Sequence, residues 1–135
     1  MGPALPLLAT LLLQVAPAPT EPTFDPERQV RWEHTFEDAL ELARVEGRPL
    51  LIAVNADGES ASEAIVRERY RDPAWVANTR PFVCVVGSFF RHTPRDYDDA
   101  GRRIPCPRLG EVTCGEHMAI EPLVHDGPLV PPRSQ

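Results

Sequence analysis

Basic charge is scarce in this chain. Its 14 Lys+Arg stand against 20 Asp+Glu, for a formal net charge of -6. That balance excludes nucleic acid as a partner, because such binding needs a clustered basic face. The one local gathering, Arg91, Arg95, Arg102, Arg103 and Arg108, is interleaved with His92, Asp96, Asp98 and Asp99 and reads as a solvated loop. Long apolar runs are also missing. The longest, from Leu5 to Val15, is bounded by prolines and falls short of the roughly 20 residues a bilayer-spanning helix needs. No cysteine follows closely behind it, which removes a lipid-anchored N-terminus. Cysteine is sparse, limited to Cys84, Cys106 and Cys114, and there is no internal repeat. A length of 135 residues leaves room for one domain.

What is present divides the chain by composition. Residues 1–18 carry the apolar core of an export signal in Leu5, Leu7, Leu8, Leu11, Leu12, Leu13 and Val15, with small residues after it. No Lys or Arg precedes that core, and proline follows both cleavage alanines, Ala16 and Ala18, so a signal peptide and a short N-terminal anchor both remain open. The expected location is exported: periplasmic, cell envelope or secreted. Membrane contact is expected only through that segment, if it stays uncleaved. Residues 19–29 form a Pro-rich flexible linker. Residues 30–90 carry alternating helix and strand signals, residues 91–126 an irregular extension containing Cys and His, and residues 127–135 a tail.

Within 30–90 the local signals are concrete. Thr35 and Asp38 frame a helix start, Phe36, Ala39, Leu40 and Ala43 form its apolar face, and Gly47 stops it. The run from Pro49 to Val54 has the length and composition of a strand covered on both faces. Ser60 and Glu63 have capping-box spacing, Asp72-Pro73 opens a further helical turn, and Phe82 to Val86 is a second core strand. Beyond a long loop, Glu111 to Cys114 and Ala119 to Val124 read as brief strands.

The stretch Arg48-Pro49, Leu50 to Val54, Ala56-Asp57, the helix around Ala64-Ile65-Val66, then Asp72-Pro73 and Trp75-Val76 resembles the thioredoxin-like superfamily, in particular its extracytoplasmic members. Trp32, Phe36 to Ala43 and Gly47 look like the first helix of that group and its stop, and Pro81 to Val86 like its next core strand. The resemblance implies an α/β fold with a central sheet flanked by helices. It also implies a proline loop, two antiparallel strands and a last helix beyond Gln135, so the domain is expected to be incomplete at its C-terminus, a truncated piece of a longer chain, with Val130-Pro131 as a remnant of that loop. Laid on the family's redox motif, Glu59 and Ser62 fall where its two cysteines stand. Neither residue can form a disulfide, so the resemblance carries over a fold without thiol exchange at that position.

Three groups of residues can carry chemistry. Glu59 to Ser62, at a helix start, can hold an anion or peptide carboxylate, or simply cap the helix. Cys106 and Cys114 close a short loop, and in an exported protein a structural disulfide is the simpler expectation. The same two cysteines with His117 and His125 offer thiolate and imidazole ligands, Cys114-x-x-His117 placing two on one turn, so zinc is the one cofactor the sequence allows for; otherwise no cofactor is expected. Cys84, inside an apolar strand, reads as a buried free thiol, and His34 and His92 as surface imidazoles. The expected function is a binding or structural module with a protein or peptide partner. The alternatives are a thiol-disulfide oxidoreductase using Cys106 and Cys114, and a Cys/His metal-binding module.

Overall fold

The computed structural model describes residues 27–127, besides Gly2. The segment expected to direct export, most of the expected linker and Val130-Pro131 lie outside the described residues. The chain is mixed α/β, with helices on both sides of a small parallel sheet.

Helix α1, Phe36–Glu46, begins where Thr35 accepts a hydrogen bond from the Asp38 amide at 3.1 Å and ends at Gly47, whose φ of 63° is the left-handed conformation that glycine adopts without strain. Its buried face is Phe36 and Ala39, with Leu42 and Ala43 half-covered. Leu40, expected on that face, is exposed instead. Strand β1, Leu50–Asn55, follows, then α2, Ser60–Ala64, which runs into a π-helical turn at Ile65–Arg69. Helix α3, Pro73–Thr79, starts as its sequence indicates, with Asp72 accepting from the Trp75 amide at 3.1 Å and Pro73 in the first turn. Strand β2 is Val83–Ser88, and every residue in it is buried.

β1 and β2 pair in parallel, Leu50 opposite Val83 through Asn55 opposite Ser88. On its other side β2 meets Trp32, which bridges to Cys84, while the Glu33 amide donates to the Cys84 carbonyl at 2.8 Å. β1 has β2 as its sole strand partner among the described residues. That is why Leu50 to Val54 are half-buried rather than covered on both faces.

The strand pleat divides the core. Cys84 and Val86 of β2, with Leu51 and Ala53 of β1, face a cluster containing Val30, Trp32, Val66, Tyr70, Val76, Cys106, Leu109, Val112 and Cys114. Val83 and Val85, with Leu50 and Ile52, face Phe36, Ala39 and Ile120. The first cluster is cross-linked by the Trp32 indole, which donates to the Leu109 carbonyl at 2.8 Å, and by the Tyr70 hydroxyl, which donates to Asn55 at 2.6 Å.

The two brief strands expected after residue 110 are replaced by one helix, α4, Cys114–Asp126. Thr113 accepts from the Glu116 amide at 3.2 Å, and the Glu116 carboxylate accepts from the Thr113 amide at 2.9 Å, a reciprocal capping box. Pro122 lies inside α4 and disguises it in sequence, since proline removes a helix donor. α4 lies close on β2: a Cβ built on Gly87 would stand 2.8 Å from the Glu121 Cα.

Candidate metal centre

The polypeptide leaves β2 at Ser88, crosses the end of the sheet as an irregular segment and returns into α4. His92 lies at the start of that segment, Cys106 in a tight turn near its end, and Cys114 and His117 on the first turn of α4. One ligand atom from each of the four lies within 4.8 Å of the others. Cys106 Sγ is 3.3 Å from His92 Nδ1, and Cys114 Sγ is 4.0 Å from it. A tetrahedral zinc with bonds of about 2.3 Å to sulfur and about 2.0 Å to nitrogen has ligand-to-ligand edges of roughly 3.3 to 3.8 Å. The cluster is therefore close to ligand geometry already.

Each side chain is held by groups that leave one lone pair aimed inward. His117 is fully buried, and its Nδ1 donates to the Ser88 carbonyl at 3.2 Å. Its Nε2 is buried without any hydrogen-bond partner. Burial holds the His117 imidazole below its ordinary pKa, with the nearby His92 adding to the effect and the Ser88 carbonyl opposing it, so the neutral, ligating form is favoured. His92 Nε2 donates to the Asp57 carboxylate at 2.7 Å, which leaves Nδ1 facing the sulfurs. Cys114 Sγ accepts from the His92 amide at 3.1 Å and the Thr93 hydroxyl at 3.3 Å. It also stands in the first turn of α4.

Cys106 sits in the turn Cys106-Pro107-Arg108-Leu109-Gly110, closed by the Gly110 amide on the Cys106 carbonyl at 2.9 Å, with Gly110 at a φ of 122°. Burial pushes the Cys106 thiol up, although hydrogen bonds from the backbone of Leu109 and Arg108 favour its thiolate. Burial likewise raises Cys84 to about 11. Cys84, Cys106 and Cys114 are all buried free thiols in the structure.

This donor set suits a divalent transition metal. Two thiolates cancel the ion's charge, so the loaded centre is neutral and can be buried without a counter-charge. Four protein ligands would be enough for a tetrahedral ion, as in structural rather than hydrolytic centres. Thiol exchange fits less well, because Cys106 and Cys114 are both fully buried and an exchanging thiol must be reached by its partner. A cavity of about 390 Å³ beside the cluster is lined by one of the four, His92, together with Pro107, Arg108 and Glu63. The similar cavity of about 400 Å³ between α1 and α4 is lined by none of the four ligands.

Of the residues picked out from sequence, Cys106, Cys114 and His117 come together and His125 does not. His125 projects from the far end of α4, 3.0 Å from Glu121 and stacked on Phe89. The fourth donor is His92, whose sequence context predicts only a surface imidazole. His34 is not a lone imidazole either, since its Nδ1 lies 2.9 Å from Glu116. Glu59 and Ser62 have local roles. The Glu59 carboxylate is the N-cap of α2, accepting from the Ala61 amide at 3.1 Å and the Ser62 amide at 2.7 Å. Ser62 Oγ accepts from the Ala56 amide at 3.2 Å. The cap thus falls on Glu59 rather than Ser60, and Glu63 reaches back to the Gly58 amide at 2.8 Å. No helix among the described residues is long and apolar enough to cross a membrane.

Compared with family models, curated proteins and solved structures, the chain matches none.

Proposed function

We propose that the chain is an exported thioredoxin-like module that lacks the redox pair and is organised around a zinc-class metal centre of His92, Cys106, Cys114 and His117, serving a binding or structural role. The observation that carries this reading is the buried, unpartnered Nε2 of His117 beside two thiols and the Nδ1 of a second imidazole, which itself contacts Cys106 Sγ at 3.3 Å. A buried polar atom without a partner is costly, on the order of 1–3 kcal/mol, and a metal ion satisfies it. The thioredoxin-like part of the reading is supported by the order of helix, strand, helices, parallel strand and helix, and by the residues from Trp32 to Val86 that resemble that superfamily.

Metal analysis of the purified chain, with cobalt(II) as a coloured substitute, tests the reading. One ion per chain is expected, with sulfur-to-cobalt charge-transfer bands that disappear in Cys114→Ser. All three cysteines should alkylate after unfolding in chelator without reductant. A metal-free chain whose Cys106 and Cys114 alkylate only after reduction would overturn the metal centre and favour the disulfide.

A further inference from the structure

We infer that Asp57 is the positioning residue of this centre, fixing His92 as an Nδ1 ligand and tying it to the Cys106 turn; the inference rests on the metal reading above. An imidazole can offer either nitrogen to a metal, and the nitrogen that donates a hydrogen bond elsewhere is the one withheld. Asp57 Oδ2, 2.7 Å from His92 Nε2, withholds that nitrogen and leaves Nδ1 toward Cys106 Sγ at 3.3 Å.

His92 needs such an anchor. It lies in the irregular segment between β2 and α4, where no helix or strand ladder sets the direction of its ring. Asp57, by contrast, comes from the turn between β1 and α2, which is braced by Glu59, Ser62 and Glu63. Its second oxygen faces Arg108 Nε at 3.0 Å, an ion pair without hydrogen-bond alignment. Arg108 stands two residues after Cys106 and closes on Glu63 through contacts of 3.0 and 2.6 Å. One carboxylate therefore links two ligand-bearing pieces of loop to the rigid part of the fold. Neighbouring carboxylates are committed elsewhere: Glu63 to Arg108 and Gly58, Asp96 to Arg91 and the Gly115 amide.

Asp57→Asn keeps the size of the side chain and removes the charge that orients the imidazole. Zinc affinity of the full chain, measured by competition with a chromophoric chelator, should fall about 10- to 100-fold. The melting temperature of the metal-free chain should change little, which separates positioning from a general structural role. Nitrogen-15 spectra of the zinc-loaded wild type supply a readout independent of the variant: His92 should carry the metal on Nδ1 and the proton on Nε2. The inference is overturned if Nε2 carries the metal, if Asp57→Asn binds zinc within about twofold of wild type, or if the variant loses its stability equally without metal. A wild-type chain that binds no zinc would overturn the metal reading itself, whereas a wild type that binds zinc beside an equally tight Asp57→Asn would overturn only the role of Asp57.

Discussion

On the proposed metal reading, removing zinc should destabilise the fold by an amount that can be worked out in advance. Three of the four ligands, Cys106, Cys114 and His117, are fully buried, so the metal-free chain keeps an unpartnered imidazole nitrogen and two thiols in its interior. Linkage sets the scale: an ion that binds only the folded state stabilises it by about 4 kcal/mol when its free concentration is about 1,000 times its Kd. Domains of this kind have about 5–15 kcal/mol in all. With about 4–8 °C per kcal/mol for a domain near 100 residues, chelation should lower Tm by about 15–30 °C. Each tenfold step in free zinc contributes about 1.4 kcal/mol, or about 5–10 °C. The assay is circular-dichroism melting of the full chain across a metal-buffered zinc series, with a non-thiol reductant to exclude disulfides. The slope against free zinc, rather than any single Tm, carries the result, since Cys114→Ser should flatten it whatever its own stability. A wild-type Tm that stays level over three decades of free zinc would refute the reasoning.

Two further outcomes depend on packing and burial elsewhere. Gly87→Ala places a methyl group 2.8 Å from the backbone of Glu121, and α4 must shift to admit it; a loss of about 1–3 kcal/mol is expected by denaturant titration, and an unchanged midpoint would contradict the close seating of α4. Burial pushes the Tyr70 hydroxyl up to about 12, with its bond to Asn55 and the charge of Arg108 opposing. Because the folded value lies above the unfolded one, near 10, stability is complete below pH about 10 and is lost as pH rises toward 12. In Tyr97→Phe, where Tyr70 is the remaining tyrosine, ultraviolet titration should therefore show ionisation near 12, and a midpoint near 10 in the folded chain would contradict its burial.

The first half of the fold is legible in sequence because its signals are local. Thr35 and Gly47 bracket α1, Asp72-Pro73 starts α3, and the apolar runs at Leu50 and Val83 form β1 and β2. The errors lie where a local cue competes with another. Thr113 and Glu116 have capping-box spacing, yet Pro122 and the β-branched residues nearby suggest short strands; tertiary seating on β2 through Gly87 settles it as helix. The candidate metal centre is legible by halves. Cys114 and His117 share one helical turn, which spacing reveals directly. His125 lies more than two turns beyond His117, roughly 12 Å along the axis, so it cannot join them. His92 carries no local signal at all, since its place is created by the chain folding back over the end of the sheet and by a carboxylate contributed from the β1–α2 turn.

That carboxylate also connects the centre to the position where the redox cysteines of the resembled superfamily would stand. Glu59 and Ser62 there serve the backbone, one as the cap of α2 and the other as a tie to Ala56, and they hold in place the turn that presents Asp57. Between β2 and α4 the chain has isolated bridges at Tyr97–Arg103 and Cys106–Gly110 in place of continuous secondary structure, and its few buried residues are Cys106, Leu109, Gly110, Val112 and Thr113. Such a segment gains little from hydrophobic burial, while its ordering costs about 1–2 kcal/mol per residue in backbone entropy. A metal held at one end by His92, near the other by Cys106, and on α4 by Cys114 and His117 would supply the cross-link that this segment's sparse secondary structure does not. On the proposed metal reading, the Cys106 and Cys114 thiols would have a cohesive role beside the start of α4, where an ion would hold the loop to the sheet.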